Sequence, residues 1–198
     1  MKNITLVLAL LLVAAAPAVA DHRAEAEKLV AGWPEPSRMA GQAMLQAYGA
    51  PTELTPTQLI WRANGPWVES ILSKEPVDHH FPMKHQDVLE QVVYFEVPED
   101  KFDELAAYDG SVIVERTKGT LSARCDKEPM NYLALNLAHD IISGKRSVED
   151  ARAFYAKTAM AFKEGKKDPY TQGLLFRPGT KAAGDPDQPA PMAAKTGG

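Results

Sequence analysis

The sequence predicts an α+β fold: an antiparallel sheet of about five strands packed by helices. Strand-like runs fall between residues 57 and 124 and are joined by tight turns, the order of hairpins rather than of alternating βαβ units. Helical periodicity is gathered toward the two ends. Cys125 is the only cysteine, so no internal disulfide can form and the fold must stand on its apolar core.

The elements follow in order. His22–Ala31 is rich in helix formers, and Gly32-Trp33-Pro34 stops it. Ser37 is placed to cap a second helix over Arg38–Tyr48, whose stripe is Met39, Ala40, Ala43, Met44, Ala47 and Tyr48; Gly49 and Pro51 end it. Gln58–Arg62 and Trp67–Leu72 read as strands around Asn64-Gly65, a hairpin over residues 57–72. Trp61 and Trp67 flank that turn as a cross-strand aromatic pair or as a stacking platform for a ligand. Val88–Val97 carries apolar residues on both faces and reads as a central strand, at least partly covered on each side. After Pro98 come a short helix, Lys101–Tyr108, and a second hairpin, Ser111–Arg124, turning at Lys118-Gly119. Asp126 is placed to cap a helix over Lys127–Ile142 with Pro129 in its first turn. Ser147 and Asp150 form a capping-box-like pair opening Val148–Lys163. The short Gly144–Arg146 connection makes these last two an antiparallel helical hairpin.

The ends differ from the middle. Residues 1–20 hold Lys2, an apolar run from Ile4 to Ala16 broken only by Thr5, then Pro17 and Ala18-Val19-Ala20. This is the layout of a cleavable export signal with cleavage after Ala20, and it places the mature chain in the periplasm or outside the cell. The apolar run is short of the roughly 20 residues a membrane span needs, and no later stretch supplies an integral membrane segment. Residues 177–198 hold four prolines, four glycines and no aromatic residue, the composition of a disordered tail. A single α+β domain is expected over residues 21–176. The formal charge is −4, and removing Lys2 makes it one charge more acidic. Without a basic stripe, a sequence-independent nucleic-acid binder is not expected.

Chemistry-bearing residues concentrate in VDHHFPMKHQD, residues 77–87. Pro76 and Pro82 disfavour a helix there. In an extended segment His79, Phe81, Met83 and His85 share one face, while Asp78, His80, Pro82 and Lys84 share the other. Two imidazoles and a thioether suit copper, and imidazole also suits zinc. The candidate ligands are therefore His79, Met83 and His85, with His80 beside them and a fourth donor drawn from elsewhere, Cys125 or Asp78. The competing reading packs Phe81 and Met83 into the core and leaves the histidines in a solvated loop.

Cys125 follows Arg124 and precedes a helix start, two features that favour thiolate. With a histidine close by it would form a nucleophile pair; otherwise it is a buried, inert thiol. Asn136, His139 and Asp140 form the polar strip of an otherwise apolar helix. His139 is thus a candidate for acid–base work, against a role for the strip in satisfying neighbouring loops. The chain has no G-x-S-x-G, H-E-x-x-H, C-x-x-C, P-loop or haem-attachment motif, and no cofactor is called for beyond a copper or zinc ion.

Three functions compete on this basis. The first is a non-enzymatic exported domain that binds a protein partner or small ligand. The second is a metal-binding protein using His79–His85. The third is a thiol-dependent enzyme using Cys125.

Overall fold

The computed structural model describes residues 17–190. Among them are five helices, α1 (Pro17–Ala31), α2 (Glu35–Tyr48), α3 (Phe102–Tyr108), α4 (Glu128–Ile142) and α5 (Val148–Lys163). Six strands, β1 (Glu53–Leu54), β2 (Gln58–Asn64), β3 (Trp67–His79), β4 (His85–Tyr94), β5 (Val112–Glu115) and β6 (Thr120–Cys125), form one sheet. Its order is β1-β2-β3-β4-β6-β5, antiparallel throughout. The fold is α+β, and β4 lies inside the sheet between β3 and β6. The leader expected over residues 1–20 lies mostly outside the described residues; α1 begins at Pro17, ahead of the expected cleavage point.

The helices cover one face of the sheet. Leu59, Leu72 and Leu89 are in register across β2, β3 and β4, and they bury with Ala26, Val30, Met44 and Leu45 of α1 and α2. Val93, Leu121, Ala123 and Cys125 bury with Leu133, Ala134 and Leu137 of α4. Gly41 lets α2 approach closely, since a Cβ there would lie 2.9 Å from both methyls of Val30 and 3.0 Å from Leu72. On the opposite face Ile60, Arg62, Glu69, Ile71, Glu90 and Ile113 are at least partly exposed while Val88 and Val92 are buried, so β4 has helices on one side and partial cover on the other.

Several elements differ from the sequence expectation for identifiable reasons. The short strand β1 is additional. Strand β3 continues past Pro76 to His79, because β2 ends opposite Ser73 and the register with β4 slips between Leu72 and Val77. At a bulge without a partner on one side, the missing proline N–H costs no ladder bond. Ser37 does not cap α2, which starts at Glu35; its buried hydroxyl donates to the Lys74 carbonyl at 2.8 Å and ties α2 to β3. Ser147 does cap α5, accepting from Asp150 N. Gly65, at φ +64°, and Pro66 make the first hairpin turn, with Asn64 paired to Trp67. The two tryptophans serve different parts of the core. Trp61 donates to the Gly49 carbonyl at 3.0 Å, whereas Trp67 stacks on Tyr132 with ring centroids 4.9 Å apart.

The polar strip of α4 holds the chain that follows α5. Asn136 donates to the carbonyls of Tyr170 and Gly173 and accepts from Leu175 N. Asp140 accepts from Lys145, Arg146 and Tyr170, which together hold its carboxyl below the usual range against the effect of burial. His139 lies flat on Phe176, centroids 4.6 Å apart, with Phe95 edge-on, and burial lowers its pKa. Beyond Phe176 the chain has little regular structure, but Gly179 N donates to the Tyr94 carbonyl at 2.7 Å and Asp187 pairs with Arg116.

One side chain joins α2, β3, β4 and α4. Glu128 Oε1 accepts from Tyr48 Oη at 2.6 Å, Trp67 Nε1 at 2.7 Å and Gln91 Nε2 at 3.0 Å. Gln91 passes the network to Ser70 and Asn131, both fully buried. Burial and the Glu128 charge push the Tyr48 phenol up, and Tyr132 is pushed up to about 12. Removing the carboxylate leaves several inward donors unpaired, so Glu128→Ala should cost about 2–4 kcal/mol of unfolding free energy, read as a lower urea midpoint with unchanged slope.

Candidate metal centre

Strands β3 and β4 end beside each other at His79 and His85, which are direct cross-strand partners, with residues 80–84 as the turn between them. Directly opposite residues share a face, and side chains two apart on one strand share it too. His79, His85 and Asp87 therefore converge, with the two rings 4.8 Å apart. One donor atom from each of the three lies within 4.8 Å of the other two. The loop from α3 into β5 brings Asp109 and Ser111 against the same group. Ser111 N donates to Asp109 Oδ1 at 2.8 Å, and Ser111 Oγ donates to Asp87 Oδ2.

Each histidine turns one nitrogen toward Asp87, and the other faces an acceptor. His85 Nδ1 is 2.9 Å from the Met83 carbonyl, an acceptor only, so that nitrogen carries hydrogen. Its Nε2 faces Asp87 Oδ1 at 3.1 Å. His79 Nδ1 faces Asp87 Oδ2 at 3.3 Å, while its Nε2 lies 3.4 Å from Asp109 Oδ1. Asp87 is 1% exposed, and its Oδ1 has no hydrogen-bond partner despite the nearby imidazole nitrogen, which is not aligned to donate. A neutral His85 with hydrogen on Nδ1 would point its Nε2 lone pair at that carboxylate. The lone pair can accept the Cys125 thiol 3.4 Å away, and the carboxylate oxygen is satisfied by a second proton on the ring or by a cation between the two groups.

Charge balance makes the same demand. Asp87 and Asp109 are both buried, and among the described residues the only ion-pair partners within 4 Å are His79 and His85. Burial raises the Asp109 pKa and the Asp87 charge adds to the rise, against the Ser111 N–H and both imidazoles. Burial works against charge on His85, but Asp87, the Met83 carbonyl and Asp126 outweigh it and raise its pKa.

The structure redistributes the residues expected from the sequence. His79 and His85 are at the centre of the group. His80 is exposed and outside it, and Asp78 is exposed, accepting from Gln86. Met83 Sδ lies 3.2 Å from Lys163 Nζ, so this sulfur faces α5. Asp87 was within reach of sequence reasoning, standing two residues after His85 on one strand face. Asp109 and Ser111 come from a different element and carried no such signal.

Cys125 is 4% exposed, with Sγ 3.4 Å from His85 Nε2 and 3.6 Å from Asp126 Oδ1. Of the two readings of Cys125, the surroundings favour the buried thiol over the thiolate. Burial pushes the thiol well up, and the charges of Asp126 and Asp87 add to it. Arg124 stands opposite Glu90 on the other face of the sheet, and α4 begins only at Glu128. The hollow that Cys125 and His85 share with Tyr155, Met130 and Phe162 is about 90 Å³. His85 also borders a larger cavity of about 600 Å³, lined by α2 and the start of α4.

Compared with protein-family models, curated protein sequences and solved structures, the chain matches none.

Two outcomes test this geometry in ion-free protein. The His85 ring should titrate above 6.5 by proton NMR, and Asp87→Asn should bring the midpoint down. Such a histidine lends stability that is complete below about 6.5 and is lost as pH rises through its folded pKa. Cys125 should react with a thiol reagent only after unfolding; fast labelling of the native chain would contradict its burial.

Proposed function

We propose that this chain is an exported metal-binding protein that holds one zinc or copper(II) ion through His79, His85 and Asp87. A single observation carries the metal reading. Asp87 is a buried carboxylate with an oxygen that nothing in the protein satisfies, directed at the interior nitrogen of His85. A divalent cation placed there would cancel two buried carboxylates and make the lone pair an asset. The two rings face different oxygens of Asp87, His85 Nε2 at 3.1 Å from Oδ1 and His79 Nδ1 at 3.3 Å from Oδ2, and one donor from each residue lies within 4.8 Å of the others, so an ion would draw the three together to reach the roughly 3.3 Å of tetrahedral neighbours. The outer nitrogen of His85 donates to the Met83 carbonyl, which is what metal-bound histidines ordinarily show, and Asp109 stands 3.4 Å from that of His79. Nitrogen and carboxylate oxygen suit zinc and copper(II) better than copper(I), because Met83 is turned to Lys163. Export is supported by the signal-like leader alone.

Isothermal titration of the purified mature chain with Zn(II) and Cu(II) tests the reading. One equivalent should bind with Kd below about 10 µM. Asp87→Asn and His85→Ala should weaken it by roughly 100-fold or more, a loss of about 2.7 kcal/mol, while His80→Ala leaves it unchanged. Binding that vanishes with His80 but survives without Asp87 would mark adventitious surface histidines.

A further inference from the structure

We infer that Cys125 is the fourth ligand of this ion, making the centre a closed set of two nitrogens, one oxygen and one sulfur that retains its metal rather than an open one that acts on a substrate. The inference rests on the metal reading above and adds to it the ligand that decides what kind of site it is. Structural zinc sites close with four protein donors, whereas catalytic sites leave one position to water or substrate.

Three observations support the sulfur. Cys125 Sγ lies 3.4 Å from the same His85 nitrogen that faces the orphaned Asp87 oxygen. On a tetrahedral ion with a sulfur bond near 2.3 Å and nitrogen bonds near 2.0–2.1 Å, S and N stand about 3.6 Å apart. The sheet also presents this residue to the group. Cys125 is the register partner of Leu89, two residues beyond Asp87 on the helix-covered face of β4. Lastly, the surroundings leave the sulfur little else to do. Its protein neighbours besides His85 are the long 3.6 Å contact to Asp126 and the Tyr155 side chain, and the adjoining hollow of about 90 Å³ is walled by Met130, Tyr155, Ala159 and Phe162. Sγ stands beside His85 but outside the set of donors that lie mutually within 4.8 Å, so binding requires it to move toward His79 and Asp87. On loading, an S–metal bond replaces S–H and the proton leaves to solvent.

Cobalt(II) is the probe, because a thiolate ligand gives it an intense near-ultraviolet charge-transfer band that nitrogen and oxygen ligands do not. The full mature chain should take up one Co(II) with that band. Cys125→Ser should still bind Co(II) but without the band, and its Zn(II) affinity should fall at least tenfold. If Co(II) binds the wild-type chain without the band, the sulfur is not a ligand and the inference is overturned, while the three-donor reading stands. If no Co(II) binds at all, both fall. Should Cys125→Ser not fold, the band in the wild-type chain decides alone.

Discussion

A carboxylate taken out of water must be given hydrogen bonds or opposite charge, and this constraint organises both the scaffold and the site. Glu128 meets it with neutral donors. Its Oε1 draws in Tyr48, Trp67 and Gln91, so a single oxygen ties α2, β3, β4 and α4 at the middle of the covered face. Asp87, on β4, does not meet it. One of its oxygens has Ser111; the other has only a misaligned imidazole nitrogen. The first carboxylate is a staple because its donors are complete. The second is the candidate site because its donors are not.

The sheet decides which residues reach that second carboxylate. β3 extends past β2 through an irregular stretch around Pro76, and the extension carries His79 out to face His85. A β3 ending at Leu72, where the sequence pattern stops, would leave the histidines in a free loop. The irregularity is therefore part of how the site is built. The connection from α3 into β5 then closes over it, bringing Asp109 behind His79 as Met83 stands behind His85. The Met83 carbonyl accepts from the outer nitrogen of His85, while Asp109 stands 3.4 Å from that of His79 as an ion-pair partner.

The remaining polar residues that drew attention have structural employment. Asn136 and Asp140 clamp the segment following α5, and His139 is sandwiched against Phe176. These contacts turn the exposed strip of an apolar helix into the anchor for the chain's return across it. A lowered pKa on His139 follows from burial in that stack and needs no catalytic explanation.

The sequence by itself determined the architecture, since helix and strand periodicity, turn residues and caps are local and their patterns survive in one dimension. Helices at both ends, the hairpins around Gly65 and Gly119, the interior position of β4 and the Ser147 cap were all legible in it. Half of the site was legible as well: His79 and His85 share a face in any extended reading, and Asp87 continues it. What only the tertiary structure decided is which side chains meet. Met83 fits the one-dimensional pattern, but α5 supplies Lys163 to hold it. Arg124 adjoins Cys125 in the chain yet stands on the opposite face of the sheet. Asp109, Ser111 and the Cys125 sulfur arrive from other elements. Convergence and burial depend on register and packing between segments distant in the chain, and spacing within one segment cannot encode them.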